Sequence, residues 1–165
     1  MRWIYISPHF DDAVLSCGGL IFEQTRQGIP VEIWTICAGK PPPGQLSPLA
    51  QVCHFQWGTE TAEETVALRR REDRKAAGVL KAHTRHFDIP DCIYRRSPQG
   101  ELLYTMEVFV PRHPLEAELD REIAAALEAK LHLPRDPGLR PPPLRHGQGH
   151  LSRVRRRSEG ACGRV

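Results

Sequence analysis

The sequence predicts an α/β domain of three layers built on a mainly parallel sheet. Apolar runs rich in β-branched and aromatic residues alternate with stretches of helical spacing, in the order strand, helix, strand, helix, strand, helix. The second apolar run, "IPVEIWTICAG", is nearly continuous, as parallel strands covered on both faces tend to be. The length of 165 residues suits one domain with one core.

The first run, "RWIYIS", is bounded by Pro8 and reads as a strand over 2–7. From Asp12 the spacing turns helical, with Val14, Leu15, Leu20, Ile21 and Phe22 apolar and Gly28 as the stop. Gly18 and Gly19 lower the helix propensity of this stretch, which predicts a close approach of that helix to the sheet. The second strand follows over 29–39. "KPPPGQLSPL" (40–49) is a loop by composition, and its nearness to a strand end makes it the expected rim of a site. A helix over 61–82 carries acidic residues early and basic ones late, matching its dipole. "HFDIPDCIYRR" (86–96) supplies a short strand and a turn. The last helix, over 113–132, places Leu115, Leu119, Ile123, Leu127 and Leu131 on one stripe. His83, His86 and His113 read as surface or strand residues.

After Leu133 the grammar fails. Residues 134–165 hold five prolines and eight arginines, with neither a strand run nor a helical stripe, and read as a disordered Pro/Arg-rich tail. The division is therefore a domain over 1–133 and a tail over 134–165. Through Leu133 there are 15 basic and 18 acidic residues; beyond it there are 8 and 2, so the net charge of +3 comes from the tail. A helix in such a domain should return to the sheet with a further strand, and none is written, so the domain reads as incomplete at its C-terminus. Arg, Pro and Gly enrichment is what a GC-rich frame gives when read out of phase, and a frame shift or truncation near 133 is the expectation.

Hydrophobic residues at 40% and aromatics at 7% fit a soluble chain, and no apolar run approaches the ~20 residues of a membrane-spanning helix. The acidic "HFDD" interrupts where a signal peptide would stay apolar, which predicts a cytoplasmic location. Five widely spaced cysteines without a C-x-x-C pair predict free thiols rather than a structural zinc site or redox motif.

The chemistry concentrates in "SPHFDDAVLSCGG". His9, Asp11 and Asp12 fall between the first strand and the first helix, at the carboxyl end of the sheet where open α/β folds bind ligands. His9 and Asp12 are zinc ligand types, and catalytic zinc commonly takes three protein ligands. Asp11, adjacent but pointing elsewhere, could serve as general base. The same "DD" also fits plain N-capping, and residue types alone leave the two readings level. Aspartyl phosphoryl transfer wants two aspartates two apart, and Asp11 and Asp12 are adjacent.

This stretch resembles the signature of the PIG-L (LmbE-like) family of zinc-dependent N-deacetylases, whose usual form is Ala-His-Pro-Asp-Asp-Glu at the end of the first strand. The resemblance covers about residues 1 to 132. It implies a Rossmann-like three-layer domain, with His9 and Asp12 as Zn2+ ligands and Asp11 as the catalytic base. The family's Arg-x-x-Glu helix has a counterpart in Arg69 and Glu72, making Arg69 a substrate-binding candidate, and "FDIPD" resembles the strand and loop that follow. By residues alone, Arg69 and Glu72 at helical spacing also read as a surface ion pair.

Phe10 stands for the usual Pro and Ala13 for the usual Glu, neither of them a ligand or base position. The family's late histidine motif, which brings the third ligand, has no match. The tail offers His150 as the candidate third ligand and His146 as the other histidine. The function implied is zinc-dependent hydrolysis of an N-acetyl group on a small-molecule amino sugar of the N-acetylglucosamine type. The alternative is a catalytically incomplete fragment of such an enzyme. A phosphate-neutralising module on the Arg-rich tail is a third reading, but terminal charge runs are ordinarily solvated, so nucleic acid is not the expected partner. The pattern does not fix the oligomeric state.

Overall fold

The computed structural model describes residues 2–107 and 110–131. Three parallel strands, β1 (Trp3–Ser7), β2 (Val31–Thr35) and β3 (His83–His86), form one sheet with β2 in the centre. The described residues also form four α-helices: α1 (Asp12–Arg26), α2 (Pro48–Trp57), α3 (Ala62–Val79) and α4 (Leu119–Leu131). The register pairs Ser7 with Thr35 and Thr35 with His86, so all three strands end on one line, and the loops leaving that line build the site.

The layers follow from the faces of β2. Val31 and Ile33 point to one side, where Ala13 and Ile21 of α1 and Ala77 of α3 close a core. Trp34 points to the other, packed with Ile36 and Phe87 and covered by Ile123, Ala126 and Leu127 of α4. β2 is less apolar than its sequence suggests: Glu32 is 4% exposed. Its carboxylate accepts from Arg2 at 2.8 Å and from the Trp34 indole at 2.7 Å, so the buried charge is paired and hydrogen-bonded.

Several expectations need correction. β3 ends at His86, where the sequence reading had its strand begin. "HTRH" carries one β-branched residue and no apolar alternation, and only pairing with β2 makes it a strand. α2 went unread, although its signals are present: Ser47 Oγ accepts from Ala50 N, Pro48 opens the first turn, and Gly58 closes it at φ +67°. The last helix is shorter than 113–132. Residues Pro114–Glu116 form a separate 3-10 turn, because Glu116 is buried between Arg95 (3.2 Å) and Tyr104 (2.7 Å). Of the leucine stripe only Ile123 and Leu127 reach the core, and Leu115 and Leu131 are exposed. In α1, Ile21 is buried and Val14 packs beside it, while Leu15, Leu20 and Phe22 face outward.

The two glycines of α1 do not mark a close approach. A Cβ on Gly18 would make only ordinary contact with Leu80 at 3.9 Å, and one on Gly19 would meet nothing within 4 Å. Gly19→Ala therefore stabilises the domain by about 1 kcal/mol, the helix-propensity difference, read as a raised urea midpoint.

Among the described residues no helix is long and apolar enough to cross a membrane. Cys17, Cys37, Cys53 and Cys92 are free thiols. Burial pushes Cys53 up, and burial together with neighbouring Asp91 pushes Cys92 up to about 12, so both stay protonated and unreactive near neutrality.

Candidate active site

The loop between β1 and α1 is tied at both ends by one hydroxyl. Ser7, fully buried, donates from Oγ to His9 O at 2.7 Å and accepts from Ala13 N at 3.0 Å. Within this brace His9 N donates to Asp12 Oδ2 at 2.9 Å, and the same oxygen lies 3.3 Å from His9 Nδ1. Both side chains are about half exposed. The His9 imidazole is pushed up to about 9, chiefly by hydrogen bonding with Cys37 and by the charges of Asp91, Cys37 and Asp12, against the opposing effect of burial.

Asp11 occupies the position before α1, yet it is no cap. It sits in the left-handed region at φ 75°, and its side chain accepts no backbone N–H of the helix. Its carboxylate instead turns to α3, with Oδ2 3.0 Å from Arg69 Nη2. Oδ1 accepts no hydrogen bond among the described residues, and Asp11 lines the cleft beside it.

Arg69 is correspondingly not the surface partner of Glu72. Its side chain is 20% exposed, and its Nη2 also donates to Phe10 O at 3.3 Å. The guanidinium carbon stands 4.7 Å from the Trp57 ring centre and 5.6 Å from that of Phe10. An ion pair with a partly exposed carboxylate stabilises the fold by under ~1 kcal/mol. Its consequence is orientation: the guanidinium is confined between two rings while it aims the carboxylate.

Two hollows meet at this guanidinium. An open cleft of about 330 Å³ is lined by Asp11, Trp57, Thr65, Leu68, Arg69 and Glu72. A tighter one holds His9 with Cys37, Trp57, Arg69, Asp91 and Tyr94. The 40–49 loop, expected as the rim, lies elsewhere. Gly44 and Leu46 line a separate cavity of about 210 Å³ with Glu60 and Arg96, and Ile93 and Tyr94 stand between it and His9.

Sequence reasoning passed over Asp91, Trp57, Cys37 and Tyr94. Asp91 Oδ2 comes within 3.9 Å of His9 Nε2, and its only signal was its place at the end of "FDIPD". Tyr94 is buried, with Oη 2.7 Å from His54 Nε2. Burial raises the phenol and lowers the imidazole, which leaves a neutral pair in the wall. Trp57 ends a helix that gave no functional signal.

As metal donors, His9 and Asp12 are of the right types and adjacent, but among the described residues no third His, Cys, Asp or Glu joins them in a cluster that could hold an ion. His150 and His146, with the whole 134–165 tail, lie outside the described residues. Among the described residues a three-ligand set is one donor short.

A family model described as PIG-L, GlcNAc-PI de-N-acetylase, matches residues 4–131. The chain is 30% identical over 115 residues to the 2'-N-acetylparomamine deacetylase of Niallia circulans, covering 64% of this chain and 42% of that protein. Among solved structures it is similar to a deacetylase of teicoplanin biosynthesis in complex with teicoplanin, with 34% identity and a TM-score of 0.69 over 79% of this chain and 53% of the other. A zinc-inhibited form of teicoplanin deacetylase gives 33% identity and a TM-score of 0.69, over 79% of this chain and 52% of that one. The chain thus spans about half the length of these relatives.

Proposed function

This chain belongs to the PIG-L family, and from that premise we propose that it carries the strand-end half of a zinc-dependent N-deacetylase site acting on acetylated amino sugars. The observation that carries the reading is the placement of His9 and Asp12 side by side, 3.3 Å apart, with Asp11 beside them on a restrained Arg69. His9 and Asp12 would give two of the donors of a zinc ion. When bound, the ion would polarise an amide carbonyl and lower the pKa of water toward about 7.

The chain's own residues have the remaining tasks. Asp11 Oδ1 would take the proton from the attacking water and later return it to the amine that leaves with the sugar. Arg69 holds Oδ2, which leaves Oδ1 without a hydrogen bond among the described residues, and Asp11 lines the cleft. The cleft has the make-up of a sugar site: Trp57 provides an apolar face, and the Glu72 carboxylate provides an acceptor for ring hydroxyls. The relatives named above support an acetylated sugar as the substrate class.

The test is bound zinc per chain after dialysis against trace zinc, together with acetate release from an N-acetylglucosaminide. The intact chain should hold close to one zinc, and His9→Ala with Asp12→Ala should remove it. If the intact chain held no more metal than that double variant, the reading would fail. A parallel version ending at Leu133 locates the missing donor: loss of zinc there makes His150 and His146 the next substitutions. Equal and low zinc in both forms would instead favour a deacetylase fold with an incomplete donor set.

A further inference from the structure

Beneath the site lies a second carboxylate–imidazole pair that the proposed chemistry does not use. Asp73, one turn after Arg69 on α3, is 1% exposed. Its Oδ2 accepts from Thr35 Oγ1 at 3.2 Å and lies 2.8 Å from His86 Nε2. Thr35 and His86 are the last residues of β2 and β3, so the pair stitches α3 to the carboxyl edge of the sheet. The other carboxylate oxygen, Oδ1, is buried with no hydrogen-bond partner among the described residues. A structural brace with an unsatisfied buried oxygen is a poor bargain for stability alone, which asks what else the pair does.

The His86 ring supplies the answer. It meets Phe10 edge to face, with ring centres 5.5 Å apart and planes at 84°. Phe10 is 7% exposed, its ring lies within reach of the Arg69 guanidinium, and its carbonyl accepts from that same guanidinium. The next residue, Asp11, adopts φ 75°, a conformation that a non-glycine residue keeps only when its surroundings impose it. Phenylalanine has none of proline's backbone rigidity, so position 10 must be held from outside.

We propose that the buried Asp73–His86 pair is a positioning element: it seats the Phe10 ring, and through Phe10 it holds Asp11 in the left-handed conformation that turns its carboxylate to Arg69. α3 thereby grips the loop twice, with Arg69 from the cleft and Asp73 from below. The purpose of this device rests on the proposed role of Asp11, but the seating can be read without substrate or metal.

The experiment is solution NMR of the full chain. A positive φ gives Asp11 an unusually strong NOE between its own amide and α protons. In Phe10→Ala and in Asp73→Asn this NOE should fall at least twofold, toward that of the α1 residues, while the NOEs among Ala13, Ile21 and Ile33 persist. An undiminished Asp11 NOE in either folded variant overturns the proposal. Should Asp73→Asn fail to fold, His86→Gln takes its place under the same criterion, and Phe10→Ala leaves the pair itself untouched. An Asp11→Asn chain with full hydrolytic activity would remove the proposed base and leave the NOE result standing, so the two failures are distinguishable.

Discussion

Gly39→Ala destabilises the domain by about 3 kcal/mol, the upper end of ordinary overpacking penalties. A Cβ at this position would lie 2.5 Å from Ile89 C and 2.7 Å from Asp88 C and Ile89 N. All three are backbone atoms, so no side chain can swing aside to admit the methyl group. Relief requires moving the segment after β2 away from the segment after β3. Three contacts resist that separation: Gly39 N donates to Ile89 O at 2.8 Å, Lys40 N to Asp88 Oδ1 at 3.1 Å, and Cys37 bridges Asp88. The same two segments deliver Cys37 and Asp91 to the hollow around His9. Urea unfolding should show the loss as a lowered midpoint at unchanged slope, beside the raised midpoint of Gly19→Ala. A Gly39→Ala midpoint within error of the parent would mean that the two strand exits are not pressed together as described.

Asp11→Asn, by contrast, leaves the fold intact and lowers acetate release by about 10²- to 10⁴-fold, the usual worth of a positioned general base. The substitution keeps the size of the side chain, and asparagine accepts the left-handed backbone more readily than most residues. The carboxylate is 41% exposed and its ion pair with Arg69 is correspondingly weak, so thermal unfolding should move little. Zinc uptake should also persist, because His9 and Asp12 are untouched. Acetate release under zinc, at matched protein and metal content, is the measurement. A fall of less than tenfold would remove Asp11 from the base role, and a parallel loss of bound zinc would reassign it as a donor.

Much of the frame could be read directly. The apolar run of β1, the continuous run of β2, the helical spacing of α1 and α3 and the αL stop at Gly28 all stand where the pattern put them. What failed did so for identifiable reasons. β3 is written in polar residues and exists through its partner strand. The leucine stripe promised one long helix, but the buried Glu116 drew its first turn away to Arg95 and Tyr104. The paired glycines of α1 suggested intimacy with the sheet, whereas a Cβ on Gly18 would make only ordinary contact with Leu80 and one on Gly19 would meet open space.

At the candidate site, the chemical inventory is legible from residue type and spacing: a histidine and two aspartates at the carboxyl end of a strand, and an Arg-x-x-Glu pair on a later helix. Those facts are local, since they depend on residue type, spacing and the break from strand to helix. How that inventory is arranged depends on the fold. It turned Asp11 from a cap into a carboxylate aimed at Arg69. It closed Trp57 and Phe10 around that arginine, and brought Asp91 from beyond β3 to within 3.9 Å of His9. Apart from Trp57 and Arg69, 12 positions apart, these pairings join residues 58 to 82 positions apart, and spacing along the chain does not encode them. They arise because a parallel sheet ends all its strands on one line and sets the loops beyond them face to face.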